Sequence, residues 1–241
     1  MTALAGHRAG ACGQSLRLRA MGRPLPTTAL AAFLGGIALI GCGGDGDGGG
    51  GTQTTTADCT PADKPAAKKV KLKRPRGASA KLGASDRVTA TVETNCGSFT
   101  IALDAKRAPK TAASFVHLVR EGVYDDTLVH RIEPGFVIQG GDPLGTGTGG
   151  PGYTVDEKPP AGLSYTRGLV AMARTAAEPP GRSGSQFFVV TAADAGLDPT
   201  YALLGEVTEG LETVDTIAEL GSQGGVPIEV VVISKITLEG V

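Results

Sequence analysis

The chain has 241 residues, a formal charge of −1, four cysteines, three histidines and no tryptophan. From Leu82 onward 11 basic residues face 20 acidic ones, which excludes a broad basic footprint for nucleic acid. Beyond the first forty residues only His117 and His130 remain, with no cysteine or carboxylate cluster at ligand spacing, so neither a metal nor another cofactor is expected.

Residues 1–41 carry Arg8, Arg17, Arg19 and Arg23 and no acid, followed by an apolar run from Leu25 to Gly41. This is the layout of a secretory signal. The run falls short of the roughly 20 residues that span a bilayer, and Gly35 with Gly36 interrupts it. It ends in Leu39-Ile40-Gly41-Cys42, which resembles the lipobox of bacterial lipoproteins. That resemblance implies a diacylglycerol on the Cys42 thiol and a lipid-anchored protein at the cell membrane, facing the extracytoplasmic side. Ordinary signal cleavage beside an incidental cysteine is the other reading. Met21 to Cys42 alone makes a complete short signal.

Residues 42–81 read as a tether. Its first part is glycine, aspartate and threonine with almost nothing apolar, which cannot offset the entropy of ordering. Its second part carries Lys64, Lys68, Lys69, Lys71, Lys73, Arg74, Arg76 and Lys81, either attracted to anionic lipid or wall polymer or serving as a soluble spacer. Two cysteines lie beyond the signal, Cys59 and Cys96. In an exported chain a disulfide is expected ahead of a metal site or a nucleophile.

From about residue 82 to the end, the pattern is that of one domain. Arg87 to Thr94 and Ser98 to Leu103 alternate around Asn95-Cys96-Gly97, a hairpin signal. Pro109 opens a helix with Ala112, Phe115, Val116 and Val119 on one face, ended by Gly122. Further strands are predicted over 128–132, 136–139, 169–173, 185–191, 202–207 and 230–238. A second helix, with Leu211, Val214, Ile217 and Ala218, closes at Gly221. Many short strands, two helices and no βαβ rhythm predict a mostly β domain built as a closed antiparallel barrel.

The segment His130-Arg131-Ile132-Glu133-Pro134-Gly135-Phe136-Val137-Ile138-Gln139-Gly140-Gly141-Asp142-Pro143 places one arginine among apolar and amide groups without a nucleophile. Downstream, Gly184-Ser185-Gln186-Phe187-Phe188 supplies a second amide and two more rings. The glycines from Gly145 to Gly152 are followed by prolines rather than a helix, which excludes a phosphate loop and reads as a surface loop. No Gly-x-Ser-x-Gly elbow is present, which argues against a hydrolase.

These two segments resemble the signature of the cyclophilins, the cyclosporin-binding peptidyl-prolyl isomerases. The likeness extends to Met172-Ala173, Leu197-Asp198 and the helix after Pro109, from about Val88 to the end. It implies a closed eight-stranded barrel capped by two helices. It also implies Arg131, Phe136 and Gln139 as catalytic residues, and His130, Val137, Met172, Ala173, Gln186, Phe188, Leu197 and Tyr201 as substrate-binding ones, with His130 mainly structural. The family usually has methionine where Val137 stands, asparagine where Arg174 stands, tryptophan where Gly196 stands and histidine where Tyr201 stands. Without the tryptophan, cyclosporin binding is expected to be weak, and Arg174 is expected to disturb a backbone contact to the substrate.

The implied activity is acceleration of Xaa-Pro rotation in exported polypeptides, assisting their folding. Proline-containing polypeptides and the membrane are the expected partners. The alternative is a cyclophilin-like module that binds proline segments, or a holding chaperone, with weak turnover.

Overall fold

A computed structural model describes residues 59–77 and 81–240. The signal, Cys42 and the Gly/Thr-rich stretch up to residue 58 therefore lie outside the described residues. Among the described residues no helix is long and apolar enough to cross a membrane.

The domain begins with β1 (Thr89–Thr94) and β2 (Gly97–Leu103), turned by Asn95 and Cys96. The register sets Val92 opposite Phe99 and Ala90 opposite Ile101, so the alternating apolar residues meet directly and all four are buried. Pro109 then starts α1 (Pro109–Arg120), which buries Ala112, Phe115 and Val116. Ala108 offers this helix no side-chain cap. Glu157 supplies one from a distant loop, its carboxylate accepting the N–H groups of Lys110 at 3.2 Å and Thr111 at 2.7 Å, where negative charge suits the helix dipole.

The remaining elements are β3 (Thr127–Leu128), β4 (Arg131–Glu133), β5 (Val137–Gly140), β6 (Val155–Asp156), β7 (Leu169–Met172), β8 (Arg182–Ser183), β9 (Phe187–Val190), β10 (Leu203–Glu209), α2 (Leu211–Glu219) and β11 (Val232–Glu239). Nine of the strands form one sheet in the order β3-β11-β1-β2-β10-β7-β9-β5-β4, and every pairing is antiparallel. β6 and β8 make a separate ladder.

The sheet corrects the expectation of a closed eight-stranded barrel. It is a curled half-barrel of nine strands whose edges, β3 and β4, are consecutive in the chain. The segment expected as a single strand over 128–132 divides because the backbone changes partners. Val129 donates to Val231 O on the β11 side, whereas His130 donates to Gln139 O of β5, both at 3.0 Å. The two pairings overlap at Leu128, which is paired with Val232 of β11 and bridged to Asp142 just beyond β5.

The short strands β7 and β9 are buried along their whole length because apolar groups cover both their faces. Val170, Met172, Phe187 and Val189 join the main core with Phe115, Ile138 and Ile217. Ala171, Phe188 and Val190 join a smaller cluster with Val137, Tyr165, Leu169 and Leu203.

The described part of the Lys-rich stretch, expected as part of a tether, is laid along the domain. Cys59 is disulfide-bonded to Cys96, and Thr60 N–H donates to Asn95 O at 2.8 Å. Val70 and Leu72 pack against the main core, while Lys69, Lys71 and Lys73 are exposed. This is the two-residue alternation of an extended chain resting on a surface. The apolar half of that pattern and the disulfide together explain why the segment is docked.

Candidate active site

The site is built on one row of the sheet. Arg131 stands opposite Gln139, Gln139 opposite Phe188, and Phe188 opposite Ala171. Directly opposed residues share a face, so four strands present these side chains together.

Above this row lies a pocket of about 260 Å³ lined by Arg131, Phe136, Val137, Gln139, Ala173, Arg174, Phe188, Leu197 and Tyr201. Its floor is apolar, since Val137 and Phe188 are almost fully buried in the smaller cluster. Tyr201 meets Phe188 edge-on at 5.4 Å between centroids. The guanidinium carbon of Arg131 lies 5.9 Å from the Phe136 ring centroid, which puts a cation at the rim of a greasy cup.

A chain of amides holds that cation. Arg131 Nη1 donates to Gln139 Oε1 at 3.2 Å, and Gln139 Nε2 donates to Gln186 Oε1 at 2.9 Å. Gln186 Nε2 donates in turn to the carbonyls of Gly147 at 3.1 Å and Gly149 at 2.9 Å. Each amide thus has its orientation fixed by the next group.

The glycine-rich loop taken for a surface loop has a further role. With Gln139, Ala173, Arg174 and Gln186 it walls a larger cavity of about 670 Å³ that adjoins the pocket. Its fold is dictated by Asp142, which is fully buried. The Asp142 carboxylate accepts N–H groups from Leu144 at 2.7 Å, Thr146 at 2.9 Å and Gly147 at 2.6 Å. Burial acts to raise its pKa, but these backbone donors, with that of Gly149, outweigh it and hold the carboxyl below the ordinary range. Glycine is required at 149 because a Cβ there would overlap Asp142 Oδ1.

Two expected residues stand apart. Met172 is 1% exposed and belongs to the main core. Strand alternation sends it to the face of Phe187, its opposed partner, while Ala171 and Ala173 face the other way. His130 does not line the pocket. Its Nε2 lies 3.5 Å from Gln139 Nε2, and its Nδ1 has no hydrogen-bond partner among the described residues. Burial, reinforced by Arg131 and opposed by Asp142, pushes the His130 imidazole below its ordinary pKa. A neutral ring packed behind Gln139 suits the structural role.

Arg174 is engaged with the protein itself. Its Nε donates to Thr200 O at 3.2 Å and its Nη1 to the carbonyls of Thr175 at 2.8 Å and Glu178 at 2.6 Å. Its guanidinium carbon sits 5.3 Å from the Tyr201 ring centroid. Among the described residues, nothing lies within 4 Å of where a side chain would begin at Gly196, which precedes the pocket residue Leu197.

Sequence reasoning missed two contributors. Glu133 pairs with Arg131 Nη2 at 2.6 Å; the signal available was its position two residues along the same strand. Buried Tyr165 donates its hydroxyl to Tyr201 O at 2.7 Å and accepts the Tyr201 N–H at 3.0 Å, and no local pattern announces this.

The arrangement offers a hydrogen-bond donor of fixed charge, an apolar cup and oriented amides, and the described residues lining the pocket include no serine, cysteine, lysine or carboxylate. Residues 89–238 match the family model for cyclophilin type peptidyl-prolyl cis-trans isomerases. Peptidyl-prolyl cis-trans isomerase B of Streptomyces anulatus is 39% identical over 175 residues, covering 64% of this chain and 98% of that protein. Peptidyl-prolyl cis-trans isomerase-like 1 of Gibberella zeae is 40% identical over 150 residues, covering 60% and 90%. The crystal structure of a Cryptosporidium parvum cyclophilin type isomerase superposes with a TM-score of 0.59 at 32% identity, covering 64% of this chain and 98% of that one. A second, determined in the presence of the dipeptide Ala-Pro, gives 0.58. Pocket, motif order and relatives agree: the chain belongs to the cyclophilin family of peptidyl-prolyl cis-trans isomerases and is an enzyme of that class.

Proposed function

We propose that this isomerase acts on Xaa-Pro bonds of exported polypeptides, assisting their folding, while a diacylglycerol on Cys42 holds it to the outer face of the cytoplasmic membrane. In this reading residues 1–41 are the signal, and the isomerase domain begins near residue 82. The observation that carries the catalytic part is Arg131, held by Gln139 at the edge of the apolar pocket.

Rotation about an Xaa-Pro bond is slow because amide resonance must be lost, at a barrier of about 18 to 20 kcal/mol. As the bond twists, the proline nitrogen becomes pyramidal and regains a lone pair. A fixed guanidinium hydrogen-bonds that lone pair better than it does the planar amide, so binding favours the transition state. Phe136, Val137, Phe188, Leu197 and Tyr201 take the proline ring, and Gln139 and Gln186 hold the substrate backbone.

Bringing tens of seconds down to milliseconds requires roughly 5 to 6 kcal/mol. One charge-assisted hydrogen bond contributes about 1.5 to 3 kcal/mol, so exclusion of water and orientation by the cup supply the remainder.

Export is supported by the Cys59–Cys96 disulfide, a bond that persists in oxidising compartments, and by the basic-then-apolar front of the chain. The open space at Gly196 supports weak cyclosporin binding.

The test is a proline-peptide isomerisation assay on the purified protein beside Arg131→Ala. A loss of 10²-fold or more is expected, on the order of removing a transition-state donor. Comparable rates would sink the catalytic role of Arg131, and only rates near the uncatalysed one in both proteins would favour a binding module. Mass spectrometry of the mature chain should find a diacylglycerol on Cys42; an unmodified Cys42 thiol would refute the anchor.

A further inference from the structure

Residues 59–76 precede the matched residues 89–238, yet they brace the wall of the site. Lys68 N–H donates to Pro143 O at 2.7 Å, and Leu72 N–H donates to Pro151 O at 2.8 Å. These two prolines bracket the glycine-rich loop. Gly152, at φ +87°, brings the loop so near that an added Cβ would lie 3.0 Å from Lys71 Cα. Val70 and Leu72 turn inward onto the main core, and Lys68 Nζ donates to Asp125 O. The near end is fixed by the Cys59–Cys96 disulfide and by hydrogen bonds exchanged between Thr60 and Asn95, at 2.8 and 2.7 Å.

The braced loop contains five glycines between residues 145 and 152, and glycine has the most backbone freedom to lose on ordering. Its carbonyls at 147 and 149 hold Gln186, which holds Gln139, which holds Arg131. Fixing both ends of the loop restricts its alternatives before substrate arrives, so less ordering remains to oppose binding.

We propose that residues 59–76 form a strap that positions the substrate groove, so that the isomerase's grip on its substrate depends on a segment outside the family domain. The inference rests on the reading of Arg131, Gln139 and Gln186 as the working site. The strap residues are positioning residues: they act through the loop and do not touch the pocket.

The test uses the full chain with proline at the two donor positions. Lys68→Pro and Leu72→Pro remove the N–H groups, whereas Lys68→Ala and Leu72→Ala keep them and remove only the side chains. At temperatures well below melting, the proline variants should raise KM about threefold to tenfold over the matching alanine variants, as expected for losing one hydrogen bond, with kcat little changed. Hydrogen exchange at the Thr146 and Gly147 amides should quicken in parallel. A strap that only stabilises the fold would lower the melting temperature and leave KM and those amides unmoved. The double variant Cys59→Ser/Cys96→Ser frees the near end of the strap without touching the loop and should shift KM in the same direction. Unchanged KM in the folded proline variants, or in the double variant should those not fold, overturns the proposal. If Arg131→Ala retains full rate, the reading of the site fails first; if it loses activity while the strap variants behave as wild type, the strap inference alone fails.

Discussion

Arg131 and Glu133 lie two residues apart on the edge strand β4, so their side chains share a face, and Arg131 Nη2 sits 2.6 Å from Glu133 Oε1. With Gln139 on its other terminal nitrogen, the guanidinium is gripped from two sides. Both members of the pair are a third or more exposed, which limits its worth to under about 1 kcal/mol. Glu133→Ala should therefore lower kcat/KM by about two- to fivefold through lost orientation. Glu133→Gln, which keeps an acceptor in place, should restore most of that rate. Identical rates for all three proteins in a peptide isomerisation assay would show that the pair does not orient Arg131.

Tyr165→Phe tests the support behind Tyr201. The change leaves the Tyr201 N–H and carbonyl without their shared hydroxyl partner, at a cost of about 1 kcal/mol for partly buried groups that lose a hydrogen bond. Urea denaturation should register that loss. KM should rise as well, because the Tyr201 ring that closes the pocket against Phe188 loses its backbone anchor. A variant less stable but kinetically silent would confine Tyr165 to the fold.

His130 and Asp142 give stability a pH dependence on the acid side. The His130 pKa is lowered on folding, so its contribution is complete above the ordinary value of 6.5 and is lost as pH falls below it. The Asp142 pKa is also lowered, so its contribution is complete above 3.8 and is lost as pH falls below that value. Urea midpoints measured against pH should hold level from 6.5 to about 10, decline below 6.5 and again below 3.8, and fall above 10.0, where buried Tyr124 resists ionisation. His130→Gln should flatten the first decline and leave the second. An unaltered first limb in that variant would assign it elsewhere.

The Cys59–Cys96 bond closes a span with a sequence separation of 37. Constraint of the unfolded chain over that length gives about 4 kcal/mol by loop entropy. Urea unfolding of the oxidised protein and of Cys59→Ser/Cys96→Ser should differ by about that amount. A difference near zero would mean that the strap remains ordered in the unfolded ensemble or that strain cancels the gain.

Most of the pocket was legible because its residues sit in two short motifs whose strands lie side by side. Arg131, Phe136, Gln139, Phe188 and Leu197 all reach it from positions named by sequence. Met172 shows where such reading stops, since its neighbour in sequence faces the pocket while it faces the core. Which face a fully buried strand turns to the site cannot be told from a run of apolar residues, because both faces look alike. The partner exchange at Val129 and His130 depends on contacts with Val231 and Gln139 that are distant in the chain. The docking of Val70 and Leu72 onto the core is likewise a long-range choice, and the surrounding lysines masked it. Glu133 and Tyr165 act on partners that only the folded geometry supplies.

The alternation along β7 and β9 separates two kinds of position. Positions 170, 172, 187 and 189 belong to the main core, where a change of volume endangers the whole domain. Positions 171, 173 and 188 lie on the opposite face, beneath and beside the pocket. A change of side chain there alters the floor and wall of the pocket directly, and at Ala171 and Phe188 it also disturbs the smaller buried cluster. Every second residue of two adjacent strands therefore shapes the pocket, and the residues between them hold the main core.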